Sequence, residues 1–175
     1  MLLQKVTISA TVFLLAIIAT GCQPEPDEFG PGGVNILPKP FHVKLNEGFF
    51  EITKATKIMV DAETRVLGEM LSSLLSPATG FEMDVSGAEP GRNSIHLSLD
   101  PSKTDLGDEG YQLSVDKKGV IIKASAQAGI FYGIQSLRQL LRVEIFSQED
   151  MADIRWVMPC VEIRDMPRFK WRGLH

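Results

Sequence analysis

The spacing of apolar residues changes several times along this chain, and each change marks an element. In "AETRVLGEMLSSLLSPATG", Val66, Leu67, Met70, Leu71, Leu74 and Leu75 recur at i, i+1, i+4, i+5, i+8 and i+9. That recurrence predicts a helix with one buried face, stopped by Pro77 and Gly80. A second helix is predicted over "AQAGIFYGIQSLRQLLR", with Ile130, Phe131, Ile134, Leu137, Leu140 and Leu141 on one side. Gly129 and Gly133, four apart, would let that helix approach a neighbouring surface closely. Gln135, Arg138, Gln139 and Arg142 give it a polar side that a membrane-spanning helix would not carry.

Between and around the helices the period falls to two. Thr56 to Val60 reads as a compact strand, as do "FEMDV" and "SIHLSLD", where Ile95, Leu97 and Leu99 alternate with His96 and Ser98. "YQLSVDKKGVIIKA" reads as a hairpin whose turn ends on Gly119, available for a positive φ. "VNILPKPFHVKLNEGFFEI" reads as short extended pieces interrupted by Pro38 and Pro40, with a tight turn at Asn46 to Gly48; "WVMPCVEIRD" is a last strand. Two amphipathic helices and six or so mostly hairpin-connected strands predict an α+β fold, a two-layer sandwich with both helices covering one face of the sheet.

The first 33 residues follow different rules. Met1 to Lys5 carries one positive side chain, Val6 to Thr20 is almost wholly apolar, and "ATGC" follows, the layout of a secretory signal over residues 1–21. A cysteine directly after small residues resembles the bacterial lipobox, which makes Cys22 the expected lipidation site and the chain an envelope protein anchored to a membrane. "QPEPDEFGPGG", Gln23 to Gly33, holds three prolines, three glycines and three acidic residues, so residues 22–33 are expected to act as a flexible tether. The globular domain is then expected over residues 34–164, with 165–175 as a linker into something further.

Composition narrows the chemistry. With 44% hydrophobic and 23% charged residues the chain can build a core, and its formal charge of −4 offers no general attraction to nucleic acid. His42, His96 and His175 are more than fifty residues apart, with no cysteine or carboxylate at ligand spacing, so neither a metal nor a cofactor is expected. Cys160 lies in a strand-like run and is expected to be buried packing. Asp105, Asp108 and Glu109 read as a solvated turn. Glycoside hydrolysis needs carboxylates on either side of the sugar bond, yet Asp61 and Glu63 sit at a helix start, where acidic residues serve as caps. No catalytic residue is expected within 34–164.

The remaining motifs carry a resemblance. "DEGYQLSVDKKGVIIKASAQAGIFYGIQSLRQLL", Asp108 to Leu141, and "MPCVEIRDMPRFKWRGLH", Met158 to His175, resemble the bacterial β-N-acetylhexosaminidases of glycoside hydrolase family 20. That resemblance implies an N-terminal α+β accessory domain with a mostly antiparallel sheet, followed by a catalytic (β/α)8 barrel, with the linker similar to "DMPRFKWRG" leading straight into its first strand. It implies an exo-enzyme acting on terminal β-linked GlcNAc or GalNAc by substrate-assisted retention. There the substrate's acetamido oxygen attacks the anomeric carbon, an aspartate orients it and an adjacent glutamate protonates the leaving oxygen, all on a later barrel strand. Arg172, in "WRG", matches the family's first-strand arginine, implied to bind hydroxyls of the terminal sugar; a guanidinium fork suits adjacent sugar oxygens. Arg164, Asp165 and Arg168 are expected to fix the domain-to-barrel junction. A stand-alone surface binding or scaffolding module, and an accessory domain of another glycosidase family, remain open as alternative readings.

Overall fold

The computed structural model describes residues 34–87 and 91–169. The expected signal, Cys22, the tether and Arg172 lie outside the described residues. The elements in chain order are β1 (His42–Ile52), β2 (Lys57–Val60), α1 (Arg65–Thr79), β3 (Val85–Ser86), β4 (Ser94–Leu99), β5 (Tyr111–Asp116), β6 (Gly119–Ala124), α2 (Gln127–Gln139) and β7 (Trp156–Asp165). The strands form a seven-stranded sheet in the order β1-β7-β5-β6-β4-β2-β3.

Alternation along each strand sorts the sheet into a dry and a wet face. Val60, Leu97, Ile122, Leu113, Ile163 and Val43 are register partners in turn, so one lateral row of aliphatic side chains crosses six strands. Both helices lie on that side: Gly68 of α1 packs against Val60 and Ile58, and Gly133 of α2 against Ile122 and Tyr111. The neighbouring row, Met59, His96, Ile121, Ser114, Glu162 and Lys44, faces the other way and is mostly polar. The α+β sandwich with helices on one face is therefore as expected.

Strand direction is more mixed than the hairpin reading implied. β1/β7, β5/β7 and β5/β6 are antiparallel, whereas β2/β3, β2/β4 and β4/β6 are parallel. The helices are the reason, because each is a crossover between parallel strands: α1 joins β2 to β3, and α2 joins β6 to β7 across β5. β2 and β6 point the same way, the two crossovers step in opposite directions across the sheet, and both helices lie on one face. Their hands must therefore be opposite, and one of them departs from the usual right-handed rule.

Several local readings shift with packing. Asn46 to Gly48 do not end a strand; they form a bulge within β1 between Leu45 and Phe49, with Gly48 at φ 105°. Pro77 does not stop α1, which runs on to Thr79 because Leu75 and Ala78 bury its last turn. Gly80, at φ 65°, ends it, and its N–H reaches the Ser76 carbonyl at 2.9 Å. The buried stripe of α1 contains Gly68, Leu71 and Leu75, which leaves Val66 exposed; Phe131 likewise turns out of α2 to half-exposure. Gly119 has no positive φ, and its need for glycine is instead the closeness of the Ser94 carbonyl, 2.5 Å from where a Cβ would sit.

Gly129→Ala tests the closest approach. A methyl there would strike the Gly110 carbonyl oxygen and come within 2.6 Å of the Ala124 Cβ. Alanine is favoured over glycine in a helix by up to about 1 kcal/mol, but overpacking against backbone costs roughly 1–3 kcal/mol. The variant is expected to unfold at a lower urea concentration than the wild type, and a raised midpoint would contradict this packing.

Candidate functional site

Three of the features singled out in the sequence, Asp61, Asp105 and Cys160, are built into the fold. The Asp61 Oδ2 accepts the Leu99 N–H at 3.3 Å, tying the start of the α1 region to β4. Asp105 is paired with Arg164 at 2.6 Å, so the expected solvated turn is pinned to β7. That contact also keeps Arg164 inside the domain. Cys160 is buried in β7, and burial pushes its thiol up, with Asp116 adding to the rise and Lys117 opposing it. A thiol held protonated is a poor nucleophile. Among the described residues no three His, Cys, Asp or Glu side chains come together as a metal site.

What the fold does build is a groove of about 510 Å³ where the chain enters and leaves the domain. One wall is Ile36 to Lys39 of the entering segment 34–41, the other is the exit Met166 to Phe169, and the floor is the outer side of α2 with Tyr132, Gln135 and Gln139. The entering segment bends at Leu37 and Pro38 and holds two prolines, which carry no N–H to donate. Side chains hold it in place. The Leu37 N–H donates to the Gln139 Oε1 at 2.9 Å, and the Gln139 Nε2 donates back to the Leu37 carbonyl at 3.1 Å. Four residues on, the Phe41 N–H donates to the Asp165 Oδ1 at 3.0 Å.

Ile36 is inserted into the core at 4% exposure, whereas Leu37 points away at 78%. Phe41 at 62% and Phe169 at 71% stand near the same end of the domain. Below the groove, Tyr111 at the start of β5 meets Ser136 of α2 through their hydroxyls at 2.5 Å. Tyr111 also stands opposite Asp165 in the β5/β7 ladder. Burial pushes the Tyr111 phenol up to about 12; the Ser136 hydrogen bond opposes the rise and the Asp165 carboxylate adds to it. Glu109 and Asp165 both line the groove, but Asp165 is occupied by the Phe41 amide. The arrangement presents a largely apolar surface beside a backbone held by side-chain hydrogen bonds.

Sequence reasoning placed Arg168 and Asp165 at a junction, and both line the groove. It missed Gln139, Tyr111 and Ser136. Nothing in local sequence distinguishes Gln139 from Gln135, because its partner Leu37 lies 102 positions away.

The model of glycosyl hydrolase family 20, domain 2, matches residues 33–166. A β-hexosaminidase of Porphyromonas gingivalis is 35% identical over 143 residues, which cover 81% of this chain and 18% of that protein. Among solved structures, the family 20 β-N-acetylhexosaminidase of Streptomyces coelicolor A3(2) superimposes with a TM-score of 0.70 at 36% identity, over 76% of this chain and 26% of that one. A mutant Streptomyces plicatus β-hexosaminidase in complex with product GlcNAc gives 0.70 and 36%, over 78% and 27%. The chain thus spans less than a third of the length of these relatives.

The Tyr111 phenol gives a pH signature. Unfolded tyrosine loses its proton near pH 10, whereas in the folded protein Tyr111 keeps it to about 12. Between these values the unfolded chain binds fewer protons, so stability should fall by roughly 3 kcal/mol as pH rises from about 10 to 12. Urea unfolding across that window is expected to show this loss in the wild type and not in Tyr111→Phe. An unchanged slope in the variant would contradict the assignment.

Proposed function

This chain belongs to glycosyl hydrolase family 20, and from that premise we propose that it is the accessory domain of a longer exo-β-N-acetylhexosaminidase that removes terminal β-linked GlcNAc or GalNAc. The observation that carries the reading is the domain-2 match over residues 33–166, on a fold shared with hexosaminidases at TM-score 0.70. Catalysis would then reside in a barrel following this domain, by the substrate-assisted route in which the acetamido oxygen replaces a protein nucleophile.

In this proposal residues 1–21 are a signal, residues 22–33 tether the domain through a lipid on Cys22, and residues 34–164 form the accessory unit. Residues 165–175 lead into the barrel, with Arg172 binding hydroxyls of the terminal sugar. The enzyme would work in a bacterial cell envelope, its partner a carbohydrate. The mutant S. plicatus relative, solved in complex with GlcNAc as its product, supports the substrate class.

Three outcomes test these parts. The full-length protein is expected to hydrolyse a chromogenic β-GlcNAc glycoside, and residues 22–175 alone to release nothing; turnover proportional to the short chain would contradict the accessory role. In the full-length enzyme, Arg172→Lys should lower kcat/KM by roughly tenfold to a hundredfold, the loss of about 1.5–3 kcal/mol of charged hydrogen bonding. An unchanged kcat/KM would remove that residue from the sugar site. Cys22→Ser should abolish incorporation of labelled palmitate in cells, and equal labelling in the variant would end the lipoprotein reading.

A further inference from the structure

The formal charge of −4 conceals an uneven distribution. Lys57, Ser94 and Gly119 are register partners at one end of β2, β4 and β6. At that end Lys54, Lys57, Arg92, Lys117 and Lys118 all stand exposed. Two acids share it: Glu47 in the β1 bulge, and Asp116, whose Oδ1 accepts the Lys118 and Gly119 N–H groups at 2.6 and 3.0 Å. Glu51 is taken by Arg155 at 2.7 Å. Acidic residues predominate at the opposite end, where Leu99, Ala124, Tyr111 and Asp165 are register partners and Asp61, Asp100, Asp105, Asp108 and Glu109 flank the strand ends.

The cationic end is held together by its backbone, not by neutralisation. Ion pairs elsewhere, such as Lys44 with Glu162 at 3.6 Å and Arg164 with Asp105 at 2.6 Å, cancel a cation directly. None of the five has such a pair among the described residues. Yet they cannot spread apart, because Asn93 ties together three segments that carry four of them. Its N–H donates to the Lys118 carbonyl at 2.6 Å, and its carbonyl accepts the Lys57 N–H at 3.2 Å. Its side chain accepts from the Thr56 hydroxyl at 2.7 Å and donates to the Thr53 Oγ1 at 3.1 Å, fastening the loop that bears Lys54. Asn93 does this at φ 56°, a left-handed conformation that asparagine tolerates better than most residues. Two inter-strand spacings separate Lys57 from Gly119, about 10 Å, which is close to the screening length at physiological salt. Repulsion among these cations is therefore only partly screened, and the fold retains it.

We propose that this end of the domain, centred on Asn93, is an electrostatic contact for an anionic lipid surface. Ammonium groups act as compact point charges toward phosphate, and several of them on one fixed platform suit a plane of many phosphates better than a single ion. Reach selects a lipid surface as the partner, and this step rests on the reading of Cys22 as lipidated. The twelve residues 22–33 span at most roughly 40 Å when extended. The entering segment meets the domain beside Tyr111, and the six residues of β5 lead from there to the cationic end, roughly 20 Å away. The tether is thus long enough for that end to touch the membrane that holds the lipid, where tethering raises its effective concentration. A lipid on a flexible tether fixes distance only. The cationic end would add orientation, by setting which part of the domain faces the membrane.

Vesicle co-sedimentation of the full-length protein produced without a lipid, from Gln23 onward, tests this. Binding is expected to vesicles of phosphatidylcholine mixed with phosphatidylglycerol and not to phosphatidylcholine alone, and it should be lost near 1 M salt, where the screening length falls to about 3 Å. Each cation contributes about fivefold to such binding, so Lys57→Gln with Lys118→Gln should weaken it by about 25-fold. Lys39→Gln with Lys103→Gln, which removes the same charge away from Asn93, should leave it within about twofold of the wild type. Equal loss in both pairs, or no loss in the first, would overturn the proposal. So would binding to soluble heparin with none to the mixed vesicles, which would assign this end to an anionic glycan. Palmitate labelling of Cys22 is read separately in cells. Labelling without vesicle binding would remove this contact and leave the lipoprotein reading standing, and vesicle binding without labelling would do the reverse.

Discussion

The depth at which α2 lies on the sheet governs the rest of this domain. At Gly129 the helix backbone comes so close to the Gly110 carbonyl and Ala124 that no Cβ could be accommodated, and at Gly133 the Ile122 methyl and the Tyr111 ring fill the space a side chain would need. That approach brings Ser136 within reach of the buried Tyr111 hydroxyl, which gives two buried polar groups each other as partners. It also sets the height of Gln139 above the sheet edge, and so the place where the entering segment can be gripped. A helix raised by one methyl group would lose the hydroxyl pair and misalign the groove floor.

Much of this architecture was readable from period alone, and the reasons for failure are as physical as those for success. β4, β5, β6 and α2 obeyed strict alternation or a helical stripe because each has one face against the core. The α1 stripe was read one position off: Gly68, which is invisible to a count of apolar side chains, takes the position closest to Val60 and turns Val66 outward. Asn46 to Gly48 looked like a turn because turn residues and bulge residues are the same types. Parallel pairing was hidden because it depends on where the crossovers land, a long-range property. Pro159 within β7 would ordinarily argue against a strand, yet the β5 ladder begins only at Val161, which leaves β1 as the neighbour there and relieves the missing N–H.

The groove was less legible than the fold. Its walls come from residues 36–39, from α2 and from residues 165–169, and no single window of sequence contains them. The junction role expected of Arg164, Asp165 and Arg168 rested on a motif resemblance; Asp165 and Arg168 line the groove, and Arg164 pairs with Asp105. The division between the aliphatic and polar rows of the sheet lets one face carry both helices while the other stays wet.

The central claim, that this chain is the accessory part of a larger hydrolase, is tested most directly by the intact mass of the native protein, captured from a membrane fraction with an antibody to residues 34–164. A mass several times the 19.3 kDa of this chain is the predicted result. A mass near that of the short chain with its lipid would contradict it, and the domain would then have to act at the cell surface as a binding module in its own right.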